Sequence, residues 1–133
     1  MRSRDNAEVL LRKAKEDEFA VEKLIPDPAS PDEIIGFHAQ QAVEKLLKAV
    51  LSHYAVSYPR THDLTELMDI LRENKIPFPE HLEEIDRLTP FATLFRYAGF
   101  AAEPPRAFDR AWALHCVRQV RAWAEAFLRE GGG

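Results

Sequence analysis

The chain has 133 residues, of which 46% are hydrophobic and 30% are charged, and its formal net charge is −4. This length is enough to bury one core, and the acidic balance argues against a protein that coats nucleic acid through a broad basic surface. Cys116 is the only cysteine, which excludes an intramolecular disulfide and a thiolate metal site. No apolar run approaches the roughly 20 residues that span a bilayer. The N-terminus lacks a signal-peptide pattern. We therefore expect a cytoplasmic protein without membrane association.

Helical periodicity dominates the sequence, and no period-two pattern typical of strands is present. The first predicted helix runs from about Asn6 to Leu24 and ends before Pro26-Asp27-Pro28, because proline disfavours helix continuation. The second helix begins at Ser30-Pro31-Asp32-Glu33. This segment resembles a capping box in which Ser30 caps the helix and Glu33 returns the hydrogen bond. We expect this helix to reach about His53 or Tyr54.

Two shorter helices are predicted in the middle of the chain. Thr61 is expected to cap a helix from Asp63 to Asn74. Another helix begins near Glu80 and is expected to kink or restart at Pro90, with Thr89 as the cap.

The last predicted helix opens at Pro104-Pro105 and runs from about Arg106 to Glu130. Its apolar residues recur at helical spacing and are expected to be core: Trp112, Cys116, Val120, Trp123 and Phe127. Because all connectors are short, the sequence predicts an all-α, up-and-down bundle of four to five helices. Residues 1–130 should form a single domain, with residues 131–133 as a flexible tail.

The second helix carries a polar stripe beside its apolar face. The apolar face consists of Ile35, Ala39, Ala42, Leu46, Ala49 and Val50. At about 100° per residue, His38, Gln41, Lys45 and Lys48 fall within an arc of about 80°. An imidazole, an amide and two cations are suited to holding a phosphate or a nucleotide. The alternative is an ordinary solvated face, since Glu44 and Lys48 have the spacing of a simple i,i+4 ion pair. The spacing alone leaves both interpretations open.

Three short motifs carry a family resemblance. The segment from Phe37 to Ala49, Phe-His-Ala-Gln-Gln-Ala-Val-Glu-Lys-Leu-Leu-Lys-Ala, is followed by Thr-His-Asp-Leu at residues 61–64 and later by Arg96-Tyr97. Together they resemble the signature of HEPN domains, the nucleotide-binding domains of higher eukaryotes and prokaryotes. The likeness extends over nearly the whole chain.

The resemblance implies a helical bundle that forms a homodimer or a higher homo-oligomer. It also implies a minimal nucleotidyltransferase as partner, often in a two-component toxin–antitoxin system, and a nucleotide or RNA as ligand. No cofactor and no metal are implied. By this likeness the candidate ligand-binding residues are Gln41, Lys45, His62, Asp63, Arg96 and Tyr97.

The start of the third helix suits an anion physically. Free amides and the positive end of the helix dipole favour negative charge there, and His62 could donate or titrate. The alternative is a capping turn in which Asp63 complements the dipole.

The sequence departs from the ribonuclease members of the family, which carry an arginine, four to six residues and a histidine. No histidine follows Arg96 at that distance; the one formal match is Arg110 with His115. In a continuous helix these two residues point about 140° apart. The sequence therefore does not support catalysis. A metal-independent ribonuclease and a non-catalytic protein-interaction domain stay as alternatives to a binding module.

Overall fold

The computed structural model describes the backbone of residues 2–96 and 108–130, and the side chains of residues 6–92 and 108–129. In this part of the chain all regular structure is helical. The elements are α1 (Arg2–Leu24), α2 (Asp32–His53), α3 (Leu64–Glu73), a 3-10 helix (Glu80–Leu88), α4 (Thr89–Arg96) and α5 (Arg110–Glu130). The prediction of an all-α bundle is confirmed, whereas the predicted tail at 131–133 lies outside the described residues.

Helix α2 is the centre of the bundle and packs against α1, α3, α4, α5 and the 3-10 helix. Its predicted apolar face is buried throughout, at Ile35, Ala39, Ala42, Leu46, Ala49 and Val50. Leu47 and Leu51 on other sides are buried as well, as expected for a helix surrounded by neighbours. At Gly36 the neighbour comes so close that a Cβ atom would overlap the Phe91 ring of α4. Glycine is therefore what lets α4 lie directly on α2.

The apolar stripe of α5 faces the same core, as predicted. Cys116 and Val120 are buried, while Trp112, Trp123 and Phe127 are partly buried against the core. Burial raises the pKa of the Cys116 thiol to about 11, and the Glu84 carboxylate adds to the shift.

Several predicted helix boundaries need correction. Pro31 occupies the N-cap of α2 without a side-chain hydrogen bond, so the Ser30–Glu33 capping box is wrong. The carbonyl of Ser30 instead accepts from Arg110 Nη2 at 2.6 Å, which fixes this loop to α5. Helix α5 starts at Arg110 and not at Arg106, since Asp109 Oδ1 accepts from the Trp112 amide at 2.9 Å as a cap.

Candidate ligand-binding site

The polar stripe of α2 (His38, Gln41, Lys45 and Lys48) lies between α1 on one side and the turn at residues 61–64 on the other. His38 and Lys45 bond to α1 through Asp17. Lys48 bonds to Glu44, which also contacts the turn. All four stripe residues keep part of their surface exposed. The stripe is therefore partly exposed to solvent and is bordered by α1 on one side and by residues 61–64 on the other.

One end of the stripe is organised by Asp17, a buried carboxylate of α1. Its Oδ1 lies 3.0 Å from His38 Nδ1, and its Oδ2 accepts from Lys45 Nζ at 2.5 Å. An ionised carboxylate can only accept hydrogen bonds, so Nδ1 of His38 must carry the proton. The bond fixes the orientation of the imidazole and leaves Nε2 for other contacts. We call these residues the Asp17 group.

The other end is organised by Glu44, whose side chain is 6% exposed. Oε1 of Glu44 accepts from Gln40 Nε2 at 2.9 Å and lies 2.9 Å from His62 Nδ1, while Oε2 accepts from Lys48 Nζ at 2.8 Å. Gln40 also donates to the His62 carbonyl at 3.0 Å. This Glu44 group therefore ties the turn to α2 through both the backbone and the side chain of His62.

The Glu44 carboxylate is held in its ionised form. Burial by itself would raise the pKa of Glu44, but the hydrogen bonds from Lys48, Gln40 and His62 outweigh burial. The pKa is consequently lowered from its ordinary value. Glu44 is thus a fixed negative charge at neutral pH and is unsuited to act as a general acid.

Both groups contain one carboxylate, one imidazole bonded through Nδ1 and one lysine, and the Glu44 group also contains Gln40. In each group the carboxylate balances the lysine charge, so the two groups together have no net charge when both imidazoles are neutral. The imidazoles are the more exposed members, at 30% for His38 and 47% for His62. The surface thus offers oriented hydrogen-bonding groups and not a strong field of positive charge.

The start of α3 is already capped by protein groups. Asp63 is the N-cap, and its Oδ1 accepts from the Thr65 amide at 3.0 Å. Thr61, which was expected to cap α3, instead accepts from the Asp63 amide. Thr89, which was expected to cap its own helix, accepts from the Leu64 amide at 3.1 Å. The expectation of free amides for an anion is therefore wrong for Leu64 and Thr65.

The six candidate ligand-binding residues are thus distributed unevenly. Gln41 joins the Glu44 group, because its amide donates to Gln40 Oε1 at 2.7 Å. His62 belongs to the same group and Asp63 borders it as the α3 cap, whereas Lys45 lies in the Asp17 group. The side chain of Arg96, at the end of α4, and the whole of Tyr97 lie outside the described residues. The ligand-binding role of all six stays a prediction.

Sequence reasoning missed Asp17 and Gln40 as residues that hold this arrangement together. It also missed the contact of Glu44 with His62 in the turn before α3. The i,i+4 spacing of Glu44 and Lys48 did predict their ion pair, which the structure confirms at 2.8 Å. Asp17 gave no such signal, since it lies 28 residues before Lys45 and meets it only through the packing of α1 on α2.

A family comparison agrees with these motifs. The model of the HEPN domain matches residues 7–127, a span that contains both signature segments and Arg96-Tyr97. The chain belongs to the HEPN family. No curated protein and no solved structure matches it significantly. Membership establishes a helical module of a nucleotide- and RNA-associated family.

The formal HEPN ribonuclease match at Arg110 and His115 has an unsuitable geometry. Arg110 Nε donates to Asp32 at 2.8 Å, and its terminal nitrogens donate to the carbonyls of Ile25, Asp27 and Ser30. His115 is exposed on the same continuous helix, α5. Arg110 thus holds the loop between α1 and α2, and it cannot also face a substrate beside His115.

Neither a metal site nor a membrane span is found in the part of the chain that the structure describes. No three His, Cys, Asp or Glu side chains are grouped closely enough there to hold a metal ion. Among the same residues, every helix is too short or too polar to cross a membrane.

Proposed function

We propose that this HEPN protein is a binding module that takes a nucleotide or a nucleic-acid end at the α2 stripe and the adjacent His62 turn. It acts as a homodimer or higher homo-oligomer with a minimal nucleotidyltransferase, in a cytoplasmic two-component system of the toxin–antitoxin kind. The proposal includes no cofactor and no catalytic step of its own.

One observation carries the ligand site: a continuous chain of hydrogen bonds joins the two signature segments. It runs from Gln41 to Gln40, from Gln40 to Glu44, and from Glu44 to the imidazole of His62. The chain fixes the orientation of each polar group, so a ligand meets a preorganised surface at low entropic cost. The imidazole of His62, which is 47% exposed, is the last member of this chain.

The compensated charges determine how such a ligand is held. Asp17 and Glu44 already neutralise Lys45 and Lys48, so few counterions are released when a phosphate binds. We therefore expect the affinity to depend weakly on salt. The slope of log affinity against log salt should be shallower than that of a single strand with two phosphate contacts, each of which contributes about −0.7. A steep slope would point to a basic surface elsewhere on the protein.

Calorimetric titration with AMP, ATP and a 5′-phosphorylated oligonucleotide tests the site. The matched variants are His62→Gln and His115→Gln, since both remove an exposed imidazole but only His62 belongs to the site. We expect His62→Gln to weaken binding about tenfold, as for the loss of one charge-assisted hydrogen bond, and His115→Gln to have no effect. If no nucleotide binds to the wild type, alone or with the partner, the proposal is wrong.

The partner and the oligomeric state need a separate experiment. Co-expression with a small nucleotidyltransferase encoded beside this chain, followed by light scattering on a sizing column, is expected to give a complex with two or more copies of the HEPN chain. If the HEPN chain stays monomeric and does not bind the nucleotidyltransferase, this part of the proposal is contradicted. The proposal of a ligand site does not depend on that result.

The compensated lysines also favour a second candidate, a protein-interaction domain whose stripe only stabilises the bundle. In that case Gln41→Ala, which removes a partly exposed amide from the stripe, leaves both partner binding and nucleotide titrations unchanged. A loss of nucleotide binding in Gln41→Ala with partner binding intact separates the two candidates.

A further inference from the structure

The bond between Asp17 and His38 decides which nitrogen of the imidazole carries the proton. Because Nδ1 of His38 donates to Asp17 Oδ1 at 3.0 Å, a neutral imidazole has its single proton on Nδ1. Nε2 then has a lone pair and no proton. The His38 side chain is 30% exposed, and its only hydrogen bond within the described residues is the one through Nδ1. A neutral His38 therefore presents a hydrogen-bond acceptor to a ligand at the stripe.

The charges around this imidazole come from two helices. Asp17 of α1 is the only charged side chain that contacts His38 in the part of the chain with described side chains, and it also pairs with Lys45 of α2. Helix α4 carries no charged residue among its described side chains, residues 89–92. The ion pairs that join the other elements do not include His38: Lys15 with Glu125, Arg72 with Glu83, Arg110 with Asp32, Arg118 with Glu22, and Arg121 with Glu18. The Asp17 group thus has no net charge when His38 is neutral.

A phosphate group cannot use this neutral form. Ionised phosphate oxygens only accept hydrogen bonds, and two acceptors facing each other repel. A proton on Nε2 turns His38 into a donor and gives the Asp17 group a charge of +1, because Asp17 still balances Lys45. Histidine is the side chain that ordinarily changes its charge between pH 5 and 8. The proton can therefore be taken up from solvent at neutral pH.

We infer that phosphate binding at the stripe is coupled to proton uptake, with His38 Nε2 gaining the proton that it donates to a phosphate oxygen. The proton comes from solvent, and no covalent bond of the ligand breaks. This inference rests on the proposed function. It adds His38 as a residue that contacts the ligand and Asp17 as the residue that positions it.

Nuclear magnetic resonance of the imidazole nitrogens tests the first step without any ligand. Long-range ¹H–¹⁵N spectra of the ¹⁵N-labelled full chain at pH 8 distinguish a protonated ring nitrogen from a bare one, and comparison with His38→Gln assigns the His38 signals. We expect the proton on Nδ1 and none on Nε2. On saturation with AMP at the same pH, both nitrogens of His38 are expected to be protonated.

Calorimetry then counts the protons. AMP is titrated at pH 8 in two buffers that differ in ionisation enthalpy, so that the difference in heat gives the number of protons taken up. We expect the wild type to take up about one proton more than His38→Gln. Between pH 7.5 and 8.5 the wild-type affinity should fall about tenfold through this linkage. A phosphate monoester stays fully ionised there, since its second pKa is about 6. His38→Gln should lose this part of the pH dependence, because a glutamine amide donates at every pH.

His115→Gln is the matched control for both measurements. It also removes an exposed imidazole, but from α5 and outside the stripe, so proton uptake should equal that of the wild type. Melting curves are measured for all three proteins, and the spectra of the unliganded wild type test the inference even if His38→Gln is unstable.

Three results overturn the inference. A neutral His38 with its proton on Nε2 would show that Asp17 does not set the tautomer. If AMP binds and proton uptake is the same in the wild type and His38→Gln, the coupling is wrong and the proposed function stands. If neither AMP nor another nucleotide binds, the proposed function fails together with this inference.

Discussion

The stripe of α2 and the surroundings of Arg110 use similar polar residues for different purposes. Arg110 directs its donors at one loop, through three carbonyls and Asp32, and its side chain is 22% exposed. In the Asp17 and Glu44 groups the carboxylates are buried, while the imidazoles that they hold are partly exposed. Arg110 thus holds the loop between α1 and α2 against α5. His38 and His62 are instead oriented by neighbouring carboxylates and stay partly exposed.

This difference shows that residue spacing in a sequence does not reveal whether a polar side chain is available to a ligand. Arg110 and His115 match the ribonuclease pattern by distance along the chain, yet the arginine is engaged by a loop that lies about 80 residues earlier. His62 matches no catalytic spacing but is oriented by Glu44 at 2.9 Å. Whether a polar group is available to a ligand depends on its tertiary partners, and variants that remove these partners test the comparison.

The largest expected effect is in the buried part of the stripe. Glu44→Gln removes the negative charge that balances Lys48, whose side chain is 14% exposed. Breaking a buried ion pair by removing one partner costs about 3–5 kcal/mol, and we expect the free energy of unfolding to fall by this amount. Chemical denaturation followed by circular dichroism measures it.

The control for this prediction is Glu16→Gln. Glu16 pairs with Lys13 at 3.5 Å on the outer surface of α1, where both side chains are more than half exposed. Exposed pairs contribute about 0–1 kcal/mol, so the control should be close to the wild type. Equal losses in the two variants would mean that Glu44 is not a buried charge.

Arg110→Ala is expected to have the next largest effect. It removes the hydrogen bonds that hold residues 25–32 to α5, at a cost of about 2–3 kcal/mol. Arg118→Ala is the control, because Arg118 is half exposed and its pair with Glu22 is 3.5 Å long. Nucleotide affinity per folded molecule should be unchanged in Arg110→Ala, and a specific loss of affinity would show that Arg110 belongs to the site.

The parts of the fold that local pattern determines could be predicted from the sequence. The apolar face of α2 follows from the helical spacing of residues such as Ile35, Ala39 and Leu46, and all three are buried as expected. The Ser30 cap could not be excluded locally, because what holds Ser30 is the guanidinium of Arg110 from another helix. The α2 cap was wrong because a tertiary contact replaced local capping, whereas the α5 start was wrong because the local cap at Asp109 was missed.

The same division applies to the candidate site. The arc of His38, Gln41, Lys45 and Lys48 follows from helix geometry alone. The partners that orient these side chains do not, since Asp17 comes from α1 and His62 from the turn before α3. Sequence reasoning predicted which α2 side chains share one face and missed Asp17, the carboxylate that holds His38.

The pH dependence of stability separates the buried carboxylate from the exposed ones. The pKa of Glu44 is lower in the folded chain than its ordinary value of 4.5. Its contribution to stability is therefore complete above that value and is lost as pH falls through the lower, folded pKa. We expect the difference in unfolding free energy between the wild type and Glu44→Gln to be constant near pH 7 and to shrink below about pH 4.5. Denaturation at pH 7, 5, 4 and 3 measures this difference. If the difference in unfolding free energy grew on acidification, the pKa of Glu44 would be raised and not lowered in the folded chain.

The smallest expected effect is that of His115→Ala, the change that a ribonuclease of the Arg110–His115 type could not tolerate. His115 is exposed on α5, and substitutions at such surface positions usually change stability by less than about 0.5 kcal/mol. We expect unchanged melting, unchanged nucleotide affinity and, should RNA cleavage be detected in purified protein, an unchanged cleavage rate. The decisive measurement is the rate with a labelled RNA in the presence of a chelator, compared between wild type, His115→Ala and His62→Gln. Loss of cleavage only in His115→Ala would mean that Arg110 leaves its loop in the active state, and the contrast between a structural arginine and the partly exposed imidazoles of His38 and His62 would no longer hold.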